Sequence, residues 1–159
     1  MPGIIGIDPG LAATGIGLVR GQRGLVSKFS FGCIRTEAKD PLPERLDRIF
    51  TRLTGVLADE KPDLMVVEDI FSLDRYPKSG ILLGKVAGII LLAGFRYGIP
   101  VKEIQVREAK QVLTGNGNAT KQQLEKSVRH QLKLSNPIRP YHASDALALA
   151  LIGLFRYTI

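Results

Sequence analysis

Two short apolar runs end in acids, IIGID at Asp8 and LMVVE at Glu68. If these runs are neighbouring parallel strands, both carboxylates leave the sheet at one end, where open α/β sheets build their sites. Carboxylates gathered there repel one another and lose solvation, and a hard cation such as Mg²⁺, with its oxygen ligands, relieves both costs. Near the C-terminus, HASDALALAL sets His142 and Asp145 three residues apart, one helical turn, so that their side chains share a face. Asp145 could add a third carboxylate to such a centre. Each residue also has a plainer explanation. Asp8-Pro9-Gly10 is a turn sequence, Glu68 and Asp69 are solvated at a strand end, Asp145 complements a helix dipole, and His142 is then a bystander.

The elements that must position these residues are read from changes of hydrophobic period. Residues 4–7, 14–20 and 25–34 are three β-like runs separated by DPGLAA and GQRG, the pattern of an antiparallel meander. From 42 to 60, Leu46, Ile49, Phe50, Leu53, Val56 and Leu57 follow helical spacing, and Lys61-Pro62-Asp63 stops the helix. The run 64–68 reads as a buried strand, a helix over 79–98 follows, and PVKEI at 100–104 is the next strand, which implies a parallel crossover. A short helix over 107–113 and the loop GNGNAT come next, then a helix introduced by Thr120 and Gln123 at capping-box spacing. A final helix over 142–157 closes the chain. The order predicts an α/β fold, a mixed five-stranded sheet flanked by helices, as one domain over 1–159.

Within the second helix, SGILLGKVAGIILLAG is apolar nearly all round. It is shorter than a bilayer requires and contains Lys85, so no membrane span is expected. Gly80, Gly84 and Gly88 recur every four residues and leave a smooth stripe that another helix, of this chain or of a second subunit, could approach.

With 159 residues, 45% of them hydrophobic and 23% charged, the chain can bury a real core. MPGIIGIDPG meets a carboxylate almost at once, so no secretion signal is expected, and the single Cys33 fits a reducing cytoplasm. The formal charge of +7 is unevenly placed. Residues 1–74 hold nine basic and eleven acidic side chains, whereas residues 75–159 hold thirteen and four, so the halves net −2 and +9. Such an asymmetry is the footprint of a nucleic-acid binder, although basic surfaces also occur without one.

Four segments carry a specific resemblance. IGIDPGLAATGIG, VVEDIF, REAKQVLTGNGNATKQQLEKSVRHQLKL and HASDALALAL, in this order over nearly the whole chain, resemble the RuvC family of bacterial Holliday-junction resolvases, within the RNase H-like nuclease superfamily. The resemblance implies an RNase H-like fold and metal ligands at Asp8, Glu68 and Asp145. It implies a fourth ligand at His142, where some members carry Asp and others His. Imidazole in place of carboxylate removes one negative charge, which should let Mn²⁺ serve beside Mg²⁺, and it could also act as a base or proton shuttle toward the attacking water. The implied activity is two-metal hydrolysis of a four-way DNA junction by paired symmetric nicks, leaving 5′-phosphate and 3′-hydroxyl ends.

The same resemblance assigns residues to the DNA. Phe71 matches an aromatic that stacks on a base at the crossover, a contact worth roughly 1–3 kcal/mol for an exposed ring. Lys110 and Lys121 match lysines that support DNA binding and cleavage, and Lys121 opens a helix after a Gly-rich loop, where amides already favour an anion. Arg75 and Lys78 lie in SLDRYPKS, one residue longer than the familiar form of the segment, and are further DNA-binding candidates. The implied assembly is a cytoplasmic homodimer, with the Gly-striped helix as part of its interface, acting with the branch-migration proteins RuvA and RuvB. His130, among Lys126, Arg129 and Lys133, is expected at the surface.

Other classes fit less of the sequence. Actin-like and sugar-kinase ATPases also open with a strand, an Asp and a Gly-containing turn, but they need a second such loop and a longer chain. GNGNATK lacks the GK[ST] ending of a Walker loop. A nuclease acting on other branched DNA, or a junction-binding relative without catalysis, are the nearer alternatives; the retained Asp8, Glu68, His142 and Asp145 argue against the latter.

Overall fold

The computed structural model describes residues 1–70 and 77–157. The alternating apolar residues of the N-terminal third form the expected meander: β1 (Gly3–Asp8), β2 (Ala13–Gln22) and β3 (Leu25–Arg35), all antiparallel. After α1 (Leu42–Glu60), β4 (Leu64–Glu68) returns beside β1 and runs parallel to it. Then α2 (Pro77–Arg96) crosses over to β5 (Val101–Ile104), parallel to β4. The sheet order is β3-β2-β1-β4-β5, and α3 (Val106–Thr114), α4 (Lys121–Gln131) and α5 (Tyr141–Tyr157) follow.

Strand side chains alternate between faces, and each face has its own core. Ile5, Ile7, Ile16, Leu18, Met65 and Val67 point toward α1 and α2, which contribute Ile49, Leu53, Leu57, Val86 and Ile90. Ile4, Val19, Leu64 and Val66 point the other way, toward α5, with Leu124 and Val128 of α4 behind it. Every residue of α5 from Ala143 to Leu154 is buried, because the helix lies between the sheet and α4. This sandwiched position is why its sequence is Ala and Leu all round rather than amphipathic. The α1 helix stops where Lys61 turns left-handed, φ 45°, and donates its N–H to the Leu57 carbonyl.

Element boundaries shift by one or two residues from the sequence expectation, most visibly in α2, expected at 79–98 and observed as Pro77–Arg96. That shift carries a correction. The helix has 20 residues, about 30 Å at the usual rise, so by length and composition it is long and apolar enough to cross a membrane. Shortness therefore gives no ground against a span. What the structure adds is that Val86, Ile90 and Ala93 of this helix are buried in the core against α1 and the sheet.

Candidate active site at the carboxyl ends of β1 and β4

Parallel pairing of β1 with β4, Ile7 opposite Val67, brings Asp8 and Glu68 out at the same end of the sheet. The first turn of α5 reaches that end from the opposite face. His142 Nδ1 lies 2.8 Å from Asp8 Oδ2, and Asp145, one turn on, is 8% exposed. Asp8 is buried as well, at 5% exposure. Four side chains from three distant stretches of sequence therefore meet.

Their electrostatics show how closely they meet. Burial, a side-chain hydrogen bond with Asp8, and the charges of Asp8 and Asp145 push the Glu68 carboxyl up to about 9. Burial and the Asp8 charge push Asp145 to about 6. The hydrogen bond with Asp8 raises His142, against the opposing effect of its own partial burial. Among the described residues Oδ1 of Asp145 is buried with no hydrogen-bond partner. A buried acceptor left unpaired is costly, and an arrangement that keeps one beside other carboxyls is short of positive charge.

The donor set, three carboxyls and an imidazole, suits a divalent cation of the Mg²⁺ or Mn²⁺ kind. Among the described residues no three such side chains already close around a common point as a cage. Instead they engage one another: imidazole on Asp8, and Glu68 sharing a hydrogen bond with Asp8. The orphaned Asp145 oxygen and the crowded carboxyls fit a cation.

Two of the lysines singled out from the sequence come to this cluster. Lys121 is the first residue of α4, held by a complete capping box: Gln123 N–H donates to Thr120 Oγ1 at 3.1 Å, and Thr120 N–H donates to Gln123 Oε1 at 2.9 Å. Its charge partly offsets the rise of Glu68 and Asp145, and Lys110 on α3 acts the same way on Asp145. Lys78 stands exposed on the first turn of α2. Phe71 and Arg75 lie outside the described residues. His130 is exposed on α4, as expected.

Sequence reasoning missed the seat on which the first turns of α5 rest. Gly6 of β1 and Gly15 and Gly17 of β2 lie under α5, where a Cβ would fall 1.9 Å from the Ala146 carbonyl, 2.0 Å from the His142 carbonyl and 2.5 Å from the Leu147 amide. Glycine inside a strand is itself the signal of a close backbone approach, and TGIG contained it.

The RuvC family model, described as "Crossover junction endodeoxyribonuclease RuvC", matches residues 4–153. A protein of that name from Syntrophomonas wolfei is 39% identical over 156 residues, 98% of this chain and 90% of the relative. Among solved structures, Thermus thermophilus RuvC superposes with a TM-score of 0.85 at 34% identity, covering 98% of this chain and 95% of that one. T. thermophilus RuvC in complex with a Holliday junction substrate gives 0.91 at 32%, covering 99% and 95%. The architecture is thus the RNase H-like one that the motifs implied. With motifs, fold and full-length similarity in agreement, this chain belongs to the RuvC family of crossover junction endodeoxyribonucleases.

Proposed function

We propose that this protein resolves four-way DNA junctions by paired symmetric nicks, leaving 5′-phosphate and 3′-hydroxyl ends, in recombination and repair. The observation that carries the proposal is the meeting of Asp8, Glu68, His142 and Asp145 at one end of the sheet, with a buried carboxylate oxygen of Asp145 unpartnered.

In this reading the four side chains hold two Mg²⁺ ions per subunit, with Mn²⁺ able to substitute. The bound ions supply a nucleophile at neutral pH and stabilise charge on the leaving oxygen. Asp8, shared between the imidazole and Glu68, fixes the relative position of the two strand ends and of α5. His142 keeps Nδ1 on Asp8, which leaves Nε2 for a ligand or a proton. Lys121 and Lys110 bring positive charge to the same end of the sheet, where the phosphodiester must lie, while Phe71, Arg75 and Lys78 are assigned to the DNA on the family pattern alone. The net +9 of residues 75–159 supplies the longer-range attraction.

Two strands must be cut, so the working form is a homodimer, and the apolar outer face of α2 supports this: Ile81 and Phe95 are 61% and 80% exposed. Action in the cytoplasm together with RuvA and RuvB follows from family membership. The deciding experiment offers a synthetic four-way junction and a matched linear duplex with Mg²⁺, Mn²⁺ or chelator, and repeats both with Asp8→Asn. Symmetric nicks on the junction alone, lost in the variant while binding persists, are expected. Equal cutting of the duplex, or full activity in chelator, overturns the proposal.

A further inference from the structure

Beside the His142–Asp8 contact, the ligand-bearing turn of α5 rests on the sheet, backbone against backbone. Gly15 of β2 faces the His142 carbonyl so closely that a Cβ there would lie 2.0 Å from the oxygen, 2.4 Å from the carbonyl carbon and 3.1 Å from the Ala143 nitrogen. One turn on, Gly17 faces the Leu147 amide at 2.5 Å, and Gly6 faces the Ala146 carbonyl at 1.9 Å. Neither side of these contacts can yield as a flexible side chain would, because every atom met is main chain.

The turn that precedes Gly15 is tied to the same place. Thr14, fully buried, donates its hydroxyl to the Gly10 carbonyl at 2.7 Å, and a Cβ on Gly10 would come within 3.7 Å of His142 Cε1. DPGLAATG thus carries Asp8 at one end and the support of His142 at the other.

We infer that Gly15 is a positioning residue for the nuclease reaction, setting the height of His142, and through the helix that of Asp145, above Asp8. The inference rests on the metal-dependent reading above. Carbon–oxygen contacts of roughly 3.3 Å or more are ordinary, so Gly15→Ala must lift the start of α5 by about 1 Å. That distance separates the observed 2.8 Å contact of His142 with Asp8 from no hydrogen bond. Misplacement on this scale costs about 10²-fold in rate, and losing the support of a metal ligand costs roughly 10–100-fold in metal affinity.

The test compares the full-length parent with Gly15→Ala, Gly17→Ala and Gly153→Ala. Gly153 is the control, since it belongs to α5 itself and faces the sheet far from the site, where a Cβ meets only side-chain atoms of Ile4 and Val66 at 2.6 and 2.8 Å. Four readouts are taken: Tm, Mn²⁺ affinity by electron paramagnetic resonance, junction binding in chelator, and the His142–Asp8 distance in a crystal structure. Gly15→Ala should open that distance by about 1 Å and weaken Mn²⁺ binding about 10–100-fold, with junction binding retained. Gly153→Ala should lower Tm and leave both the distance and the Mn²⁺ affinity unchanged. An unchanged distance with parental Mn²⁺ affinity in Gly15→Ala overturns the inference, as does an equal loss of affinity in Gly153→Ala. If Gly15→Ala does not fold, the milder overlap of Gly17→Ala carries the same comparison: weakened Mn²⁺ binding supports the inference and parental binding overturns it. A parent chain that binds no Mn²⁺ overturns the metal reading, and the crystallographic distance in the glycine variants still decides the positioning role.

Discussion

His142 and Asp8 stand 134 residues apart in sequence and 2.8 Å apart in space, Nδ1 against Oδ2. The contact joins the start of the last helix to the end of the first strand, so it reports directly whether the two ends of the chain have come together correctly. It also fixes which ring nitrogen is left free. With Nδ1 occupied by Asp8, Nε2 is the atom that can ligate or carry a proton.

From this follows a comparison of His142→Asp with His142→Ala. If His142 is a ligand, Asp restores cleavage in Mg²⁺ and Ala loses about 10²-fold, with partial recovery in Mn²⁺. If it acts as a base, neither replacement restores the rate at neutral pH. Junction cleavage at parental rate in both variants would return His142 to the role of bystander.

The crowded carboxyls predict how stability responds to pH. Glu68, pushed to about 9 by burial and by Asp8 and Asp145, has a folded-state pKa above the ordinary 4.5 of an unfolded chain. The folded state therefore holds the extra proton across that interval, and the favourable contribution present at low pH is lost as pH rises through about 9. Asp145, raised to about 6 from 3.8, acts with the same sign at lower pH. In chelator, Tm should fall between pH 5 and 9. Glu68→Gln should flatten the slope and raise Tm at pH 8 by a few degrees, on the order of 1–3 kcal/mol. Mg²⁺ should reverse the loss in the parent and not in the variant. A pH-independent Tm in chelator contradicts the account.

Lys121 is predicted to act on both partners of the reaction. Its charge partly restrains the rise of Glu68 and Asp145, so Lys121→Gln should move the pH dependence of cleavage toward higher pH. If Lys121 also contacts a phosphate, as proposed, the same change should reduce the salt slope of junction binding by about 1. Parallel loss of binding with no movement of the pH profile would confine Lys121 to DNA contact.

Much of this was legible because apolar runs and their acidic ends are local signals. IIGID and LMVVE indicated two strands and their terminal carboxylates, and the crossover rule gave β4 beside β5, but the parallel pairing of β1 with β4 was only a condition until the fold supplied it. The seat beneath α5 was not read, because Gly15 and Gly17 mean little until the helix above them is known. The all-round apolar pattern of α2 and of α5 looks alike in sequence, yet α5 is enclosed and α2 keeps one face open. Which of two such helices is covered depends on the tertiary arrangement, and hydropathy alone does not contain it.

That open face of α2 yields a prediction about assembly. Ile81, Gly84, Gly88 and Phe95, spaced three, four and seven apart, are exposed along one seam of the helix, opposite the buried Val86 and Ala93. Among the described residues a Cβ at Gly84 or Gly88 would meet nothing within 4 Å, so a larger side chain there has room in one subunit. Two copies of the seam related by a two-fold axis would pack these glycines together and cover Phe95. Gly84→Leu should therefore keep the parental far-ultraviolet spectrum while weakening the dimer at least tenfold by analytical ultracentrifugation. Phe95→Glu should do the same by placing like charges across the axis. Paired cutting should give way to single nicks in both variants, because one subunit still holds a complete set of Asp8, Glu68, His142 and Asp145. A dimer that survives both changes at nanomolar concentration places the interface on another face of the molecule.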